Sequence, residues 1–288
     1  MPCFHKMKAG YRFKTLSIQL FHCLKFIMKL IDTHTHLYLP EFYNDINEVI
    51  ERASAAGVYK FFLPAIDSSE TEALLQLERK FPGKCHAMAG LHPCSVKEDY
   101  KNELDKVLHL LQERNFAAIG ETGLDFYWDK TFVKEQYESL AMQAEWALQF
   151  DVPLVLHTRN AVQETIDVIR PFSERGLTGI FHCFSGTLQQ ANEIIDINFY
   201  LGIGGVITYK NSGLADIIKE TGLANVVLET DAPYLTPAPF RGKRNESGYL
   251  KYVVEKIADI RKIAPEEAAD ITTRNAEKVF RKVLAGSV

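Results

Sequence analysis

From Leu30 onward the chain alternates short, nearly continuous apolar runs with longer segments whose apolar residues recur at helical spacing. Runs of the first kind read as parallel strands buried on both faces, the second as amphipathic helices. The strand candidates are residues 30–37, 60–65, 85–91, 117–122, 153–157, 179–184, 200–207 and 226–230. Periodic segments at 45–56, 70–80, 103–114, 132–150, 161–175, 188–195 and 214–220 separate them, and a last helix runs from Pro265 to Phe280. The punctuation agrees: Ser68 is placed to cap the helix that follows it, Gly57 stands where a C-terminal glycine belongs, and Pro265 with Glu266 and Glu267 makes a favourable first turn.

Eight βα units in about 250 residues match the count and size of a closed (β/α)8 TIM barrel. A doubly wound open sheet is the alternative architecture. No Gly/Ser/Pro-rich linker, low-complexity tract or tandem repeat interrupts the rhythm, so the expectation is one α/β domain over residues 28–284 with an extra C-terminal helix. Residues 1–27 stand apart, carrying Lys6, Lys8, Arg12, Lys14 and Lys25 without an acidic side chain. Their apolar stretch is broken by Gln19, His22 and Lys25, which argues against a secretory signal. They are expected to be a basic extension outside the fold, with the functional protein starting at Met28.

Composition narrows the partners. A hydrophobic content of 47% in 288 residues supplies a sizeable core, and a formal net charge of -4 rules out the global basic field that drives non-specific duplex binding. Five cysteines without a Cys-x-x-Cys pair fit neither a disulfide framework nor a zinc ribbon, and point to a reducing cytoplasm. No apolar run reaches the roughly 18 to 20 residues of a membrane span, and nothing marks an obligate protein partner.

In a barrel the chemistry sits at the C-terminal strand ends, and here these carry His34 and His36, His92, Glu121 and Asp125, His157, His182, and Glu229 and Asp231. His34 and His36 lie two residues apart, so on an extended segment both rings face one side. Singly, each of these residues could be a satisfied core histidine or a carboxylate capping a turn. Jointly, their burial costs several kcal/mol unless they pair or hold a metal. Imidazole and carboxylate donors suit zinc, manganese, iron or cobalt, whereas magnesium prefers oxygen. Four histidines with Glu121 and Asp231 exceed the needs of one tetrahedral ion. Two divalent ions about 3.5 to 4 Å apart, bridged by a carboxylate, would use them all and imply hydrolysis.

The strings Asp32-Thr33-His34-Thr35-His36-Leu37, Gly90-Leu91-His92-Pro93, Ile119-Gly120-Glu121-Thr122-Gly123-Leu124-Asp125, His157-Thr158-Arg159, His182-Cys183-Phe184-Ser185-Gly186 and Glu229-Thr230-Asp231-Ala232-Pro233-Tyr234-Leu235 resemble the TatD-type metal-dependent deoxyribonucleases. The resemblance implies a TIM-barrel hydrolase of the amidohydrolase superfamily that cleaves DNA phosphodiesters, often from a 3′ end. It also implies that His34, His36 and Asp231 hold one metal, His157 and His182 the second, and that Glu121 bridges. The family's nuclease activity is associated with magnesium, while the imidazole-rich donor set favours a transition metal, leaving magnesium, manganese and zinc open.

For such a reaction Asp231 is expected to take a proton from the attacking water, with His92 and Arg159 contacting the phosphate or the leaving group. Arg241, Lys243 and Arg244 beside Phe240 offer contacts to an extended anion, and Tyr127, between Phe126 and Trp128, offers a ring for a base. An acidic protein with a few local cations suits a single-stranded or frayed DNA end better than long duplex. The competing readings are a two-metal hydrolase of a small C–N or ester substrate or an aminoacyl-tRNA deacylase, and a binding module with structural metals. The absence of a thiolate ligand pattern weighs against the last.

Overall fold

Apolar runs fold as strands, with periodic segments packed over them as helices, in a computed structural model that describes residues 28–285. The strands are β1 (Leu30–Asp32), β2 (Val58–Leu63), β3 (Cys85–Ala87), β4 (Ile119–Asp125), β5 (Leu154–Arg159), β6 (Gly179–Phe181), β7 (Phe199–Ile203) and β8 (Val226–Leu228). The helices between them are α1 (Ile46–Ala55), α2 (Thr71–Lys80), α3 (Tyr100–Glu113), α4 (Val133–Phe150), α5 (Val162–Ser173), α6 (Leu188–Asp196) and α7 (Leu214–Thr221). After β8 come α8 (Leu250–Arg261), α9 (Pro265–Val279) and the short α10 (Arg281–Ala285). The basic extension expected at 1–27 lies outside the described residues.

Regular pairing gives parallel ladders β1-β2-β3 and β4-β5-β6-β7-β8. Two seams close them into a (β/α)8 barrel. Gly120 N–H donates to the Ala89 carbonyl at 2.9 Å between the β3 and β4 segments, and Thr33 N–H donates to the Leu228 carbonyl at 3.0 Å between β1 and β8. The outer strand faces and the helices share one large apolar core.

A second, smaller core fills the barrel interior. Ile31, Phe62, Met88, Ala118, Val155, Ile180 and Val227 stack there on Ala276, Val279 and Phe280 from the end of α9, with the Phe62 and Phe280 rings 3.6 Å apart. Two residues further along their strands, and so on the same inner face, stand His157, His182 and Glu229. The interior is thus apolar toward the strand beginnings and ionisable toward their ends.

Three local expectations are corrected. β1 stops at Asp32 rather than 37, because the chain leaves regular pairing to dock between β8 and β2, with Thr35 N–H on the Phe62 carbonyl at 3.1 Å and His36 N–H on the Ala232 carbonyl at 2.8 Å. Ser68 does not cap α2; its hydroxyl bonds Glu103 Oε1 at 2.9 Å. The helix α8 was not anticipated, since its apolar positions Leu250, Val253, Val254 and Ile257 follow a loop crowded with charges and glycines. Gly57 does follow α1 with φ +95°, and a side chain there would collide with the Met28 carbonyl.

Candidate metal centre

Glu121 sits at the centre, 2% exposed on β4, and its two oxygens face different groups of imidazoles. Oε2 lies 3.1 Å from His34 Nε2 and 3.7 Å from His36 Nε2. Oε1 lies 2.9 Å from His157 Nδ1 and 3.4 Å from both His182 Nε2 and His92 Nε2. Asp231 Oδ1 completes the first group at 3.5 Å from His36 Nε2 and 3.7 Å from His34 Nε2. All six residues expected as ligands, and His92, therefore meet in one place.

Neighbouring polar groups turn a lone pair of several rings inward. The Tyr38 hydroxyl donates to the Pro64 carbonyl at 2.7 Å, so it can only accept from His36 Nδ1–H at 3.0 Å, which frees His36 Nε2. Asp125 Oδ2 accepts His157 Nε2–H at 2.9 Å and so leaves Nδ1 as the nitrogen that faces Glu121. Glu229 Oε1 lies 3.2 Å from His182 Nδ1 on the side away from Glu121. His92 is different: its Nδ1 accepts the Cys94 N–H at 3.0 Å, so its Nε2 carries the proton and faces Glu121 as a donor. Asp32 anchors the first histidine segment to β8 by accepting Thr230 N–H at 2.9 Å and the Thr230 hydroxyl at 2.6 Å, and burial pushes its carboxyl up to about 7.

The electrostatics match a cation site. Burial pushes Glu121 up, but the imidazoles of His182, His34 and His92 together pull it well below the usual carboxylate range. For Asp231, burial is likewise outweighed by the bond to His36 and the charge of His182. Burial opposes a charged His182, yet Glu229 and Glu121 hold its pKa up to about 10. The buried carboxylates draw protons onto the rings, and a divalent cation satisfies the same demand with the imidazoles neutral. The donor set fits metal binding, with His34, His36 and Glu121 as one group, His34, His182 and Asp231 as another, and His92, Glu121 and His157 as a third.

Residue type and strand position pointed to every one of these convergent groups, whereas the supporting roles of Tyr38, Asp125 and Glu229 were not assigned from sequence. The signal for the two carboxylates was present, since both end inward-facing strands, but that Asp125 bonds an imidazole while Glu229 takes the Cys183 N–H and stands 3.2 Å from His182 requires distances.

The rim residues divide. Arg159, exposed at the end of β5, lies over the Tyr127 ring at 4.1 Å and the Trp128 ring at 5.3 Å. Arg241 lies over Tyr209 at 4.3 Å, and Lys243 is 5.9 Å from the Phe240 ring. Among the described residues none of these three cations has a carboxylate partner. Arg244 does: its guanidinium grips Asp45 at 2.8 and 2.7 Å, donates to the Glu41 carbonyl at 2.5 Å and covers Phe42. It ties the loop after β8 to the segment before α1 and has little left for an anion.

Residues 31–281 match the family described as TatD related DNase. An uncharacterized metal-dependent hydrolase, YabD, from Bacillus subtilis is 36% identical over 253 residues, covering 88% of this chain and 99% of its own. A protein from Salmonella typhimurium named 3′-5′ ssDNA/RNA exonuclease TatD is 31% identical over 260 residues, covering 88% and 100%. Among solved structures, the TatD homologue YJJV of Escherichia coli K12 superposes with a TM-score of 0.83 at 29% identity, covering 88% of this chain and 99% of its own.

Proposed function

This chain belongs to the TatD related DNase family and is a metal-dependent hydrolase, and from that premise we propose that it cleaves DNA phosphodiester bonds from a 3′ end at a two-metal centre. The observation that carries the two-metal part is the division of Glu121, one oxygen toward His34 and His36 and the other toward His157 and His182. The reading assigns His34, His36 and Asp231 to one ion, His157 and His182 to the second, and Glu121 to both. Ions so held would supply positive charge to the phosphoryl oxygens and would acidify the attacking water.

The chain's own groups do the rest. Asp231 accepts the proton released by the water, its carboxylate kept ionised by His36 and His182. His92 points an N–H at the same space and donates to a phosphate oxygen or the leaving group. Arg159, Arg241 and Lys243, without carboxylate partners among the described residues, meet the strand's phosphates, and Tyr127 offers a face to a base. Their small number suits a strand end rather than wrapped duplex. The free thiols of Cys85, Cys94 and Cys183 support a reducing cytoplasm as its compartment. No helix among the described residues is long and apolar enough to cross a membrane.

The test is metal-stripped protein reconstituted with magnesium, manganese or zinc and assayed on DNA and RNA labelled at either end, and on small esters. Stepwise loss from the 3′ end of DNA is expected. Ester hydrolysis without phosphodiester cleavage by any of the three ions would transfer the reading to a small-substrate hydrolase.

A further inference from the structure

Two large aromatic side chains stand in water beside the metal centre: Trp128 is 67% exposed and Tyr127 51%. They are nonetheless held. Their rings meet edge to face at 4.9 Å, and the Arg159 guanidinium lies over both. Asp125 Oδ1 accepts both backbone amides, Tyr127 N–H at 2.8 Å and Trp128 N–H at 2.9 Å. The loop beyond is pinned by Asp129, which takes Lys97 Nζ at 2.7 Å and Thr131 N–H at 2.9 Å. A ring held this firmly and still mostly exposed is a ready surface for a flat ligand, because little ordering entropy remains to be lost on binding.

Asp125 also gives the pair its place relative to the chemistry. One of its oxygens holds these two amides and the other holds His157, a proposed metal ligand. The aromatic pair is therefore indexed to the metal centre through a single carboxylate. Arg159, over both rings, adds a cation beside the pair.

Resting on the nuclease reading above, we propose that Trp128, backed by Tyr127 and Arg159, is the specificity-determining platform on which an unpaired base of the substrate strand stacks. A base inside a duplex has both faces covered, and at a blunt end only the outer face of the last pair is open while its edge stays paired, so the platform selects single-stranded ends, whose bases can swing out onto it. Stacking is tolerant of base identity, so the selection is for strandedness and not for sequence.

The test crosses the protein with the substrate. Wild type and Trp128→Ala are assayed on single-stranded oligonucleotides carrying one abasic site, moved one position at a time from the 3′ end. Trp128→Ala should lower kcat/KM about tenfold on the intact strand. At one abasic position wild type should show the same loss, and the variant little further loss. Trp128→Phe should restore the rate and Trp128→Leu should not. A loss in Trp128→Ala that persists unchanged at every abasic position overturns the proposal. Fluorescence gives a reading that needs no turnover, since Trp146, the other tryptophan, is only 8% exposed. Single strands added to metal-free protein should quench Trp128 emission more than blunt duplex does, and equal or absent quenching also overturns the platform. Wild type that cleaves no strand with any ion removes the nuclease reading instead, and the quenching result still decides the platform.

Discussion

Asp125 accepts the Nε2–H of His157 at 2.9 Å and thereby fixes Nδ1 as the ring nitrogen that faces Glu121, 2.9 Å from Oε1. Replacing Asp125 by Asn keeps one oxygen for the Tyr127 and Trp128 amides but removes the ionised acceptor that sets the ring's tautomer. Metal affinity should fall about 10- to 100-fold with the fold intact, measured by calorimetric titration of metal-stripped protein. Unchanged affinity would dismiss the carboxylate as an orienting group.

Asp231, proposed above as the acceptor of the attacking water's proton, faces His34 and His36 at 3.7 and 3.5 Å. Asp231→Asn should lower kcat by about 100- to 10,000-fold. Circular dichroism should match wild type. A variant that turns over at the wild-type rate would rule out Asp231 as the proton acceptor.

Arg241 and Arg244 sit three residues apart but should behave differently. Arg241 has no carboxylate partner among the described residues, so Arg241→Ala should raise KM for DNA, leave the melting temperature alone and lower the salt slope of binding by roughly 0.7. Arg244 is committed to Asp45, and Arg244→Ala should instead cost about 1 kcal/mol of stability, the pair being only partly buried. Thermal melts beside binding isotherms at several salt concentrations separate the two, and matching effects would refute the division.

His86, far from the metal centre, packs on Phe62 at 5.1 Å, and burial followed by the charge of Lys60 lowers its pKa from 6.5 to about 4. Its folded form prefers the neutral ring, so its contribution to stability is complete above pH 6.5 and is lost as the pH falls toward 4. The loss amounts to about 3 kcal/mol. Denaturant melts of wild type and His86→Leu should show the variant's stability flatter across that window, and parallel curves would contradict the assignment.

The barrel and the convergence of the inward histidines and carboxylates were legible because both rest on position along a strand. Val155 and His157, like Ile180 and His182, are two apart, and that spacing places an apolar residue and a histidine on one inner face. The boundaries were less legible. β1 was read through 37 because His34 and His36 alternate as strand residues do, although cross-links to β8 and β2 hold them beyond the regular ladder. α8 was missed because its apolar face follows a loop with no cap signal. Arg244 could not be told from Arg241 in the sequence, since its difference lies in a contact with Asp45, 199 positions away.

Phe280, stacked on Phe62 at the base of the barrel, comes from the far end of the chain. During synthesis the eight strands leave the ribosome with their interior open from below, and the floor arrives only with the last turns. A nascent chain stopped before that residue is thus no shorter enzyme but a ring without a bottom, exposing Ile31, Phe62 and Val155 to water. Closing the lower end of the barrel therefore waits on Ala276, Val279 and Phe280, which follow all eight strands in the sequence.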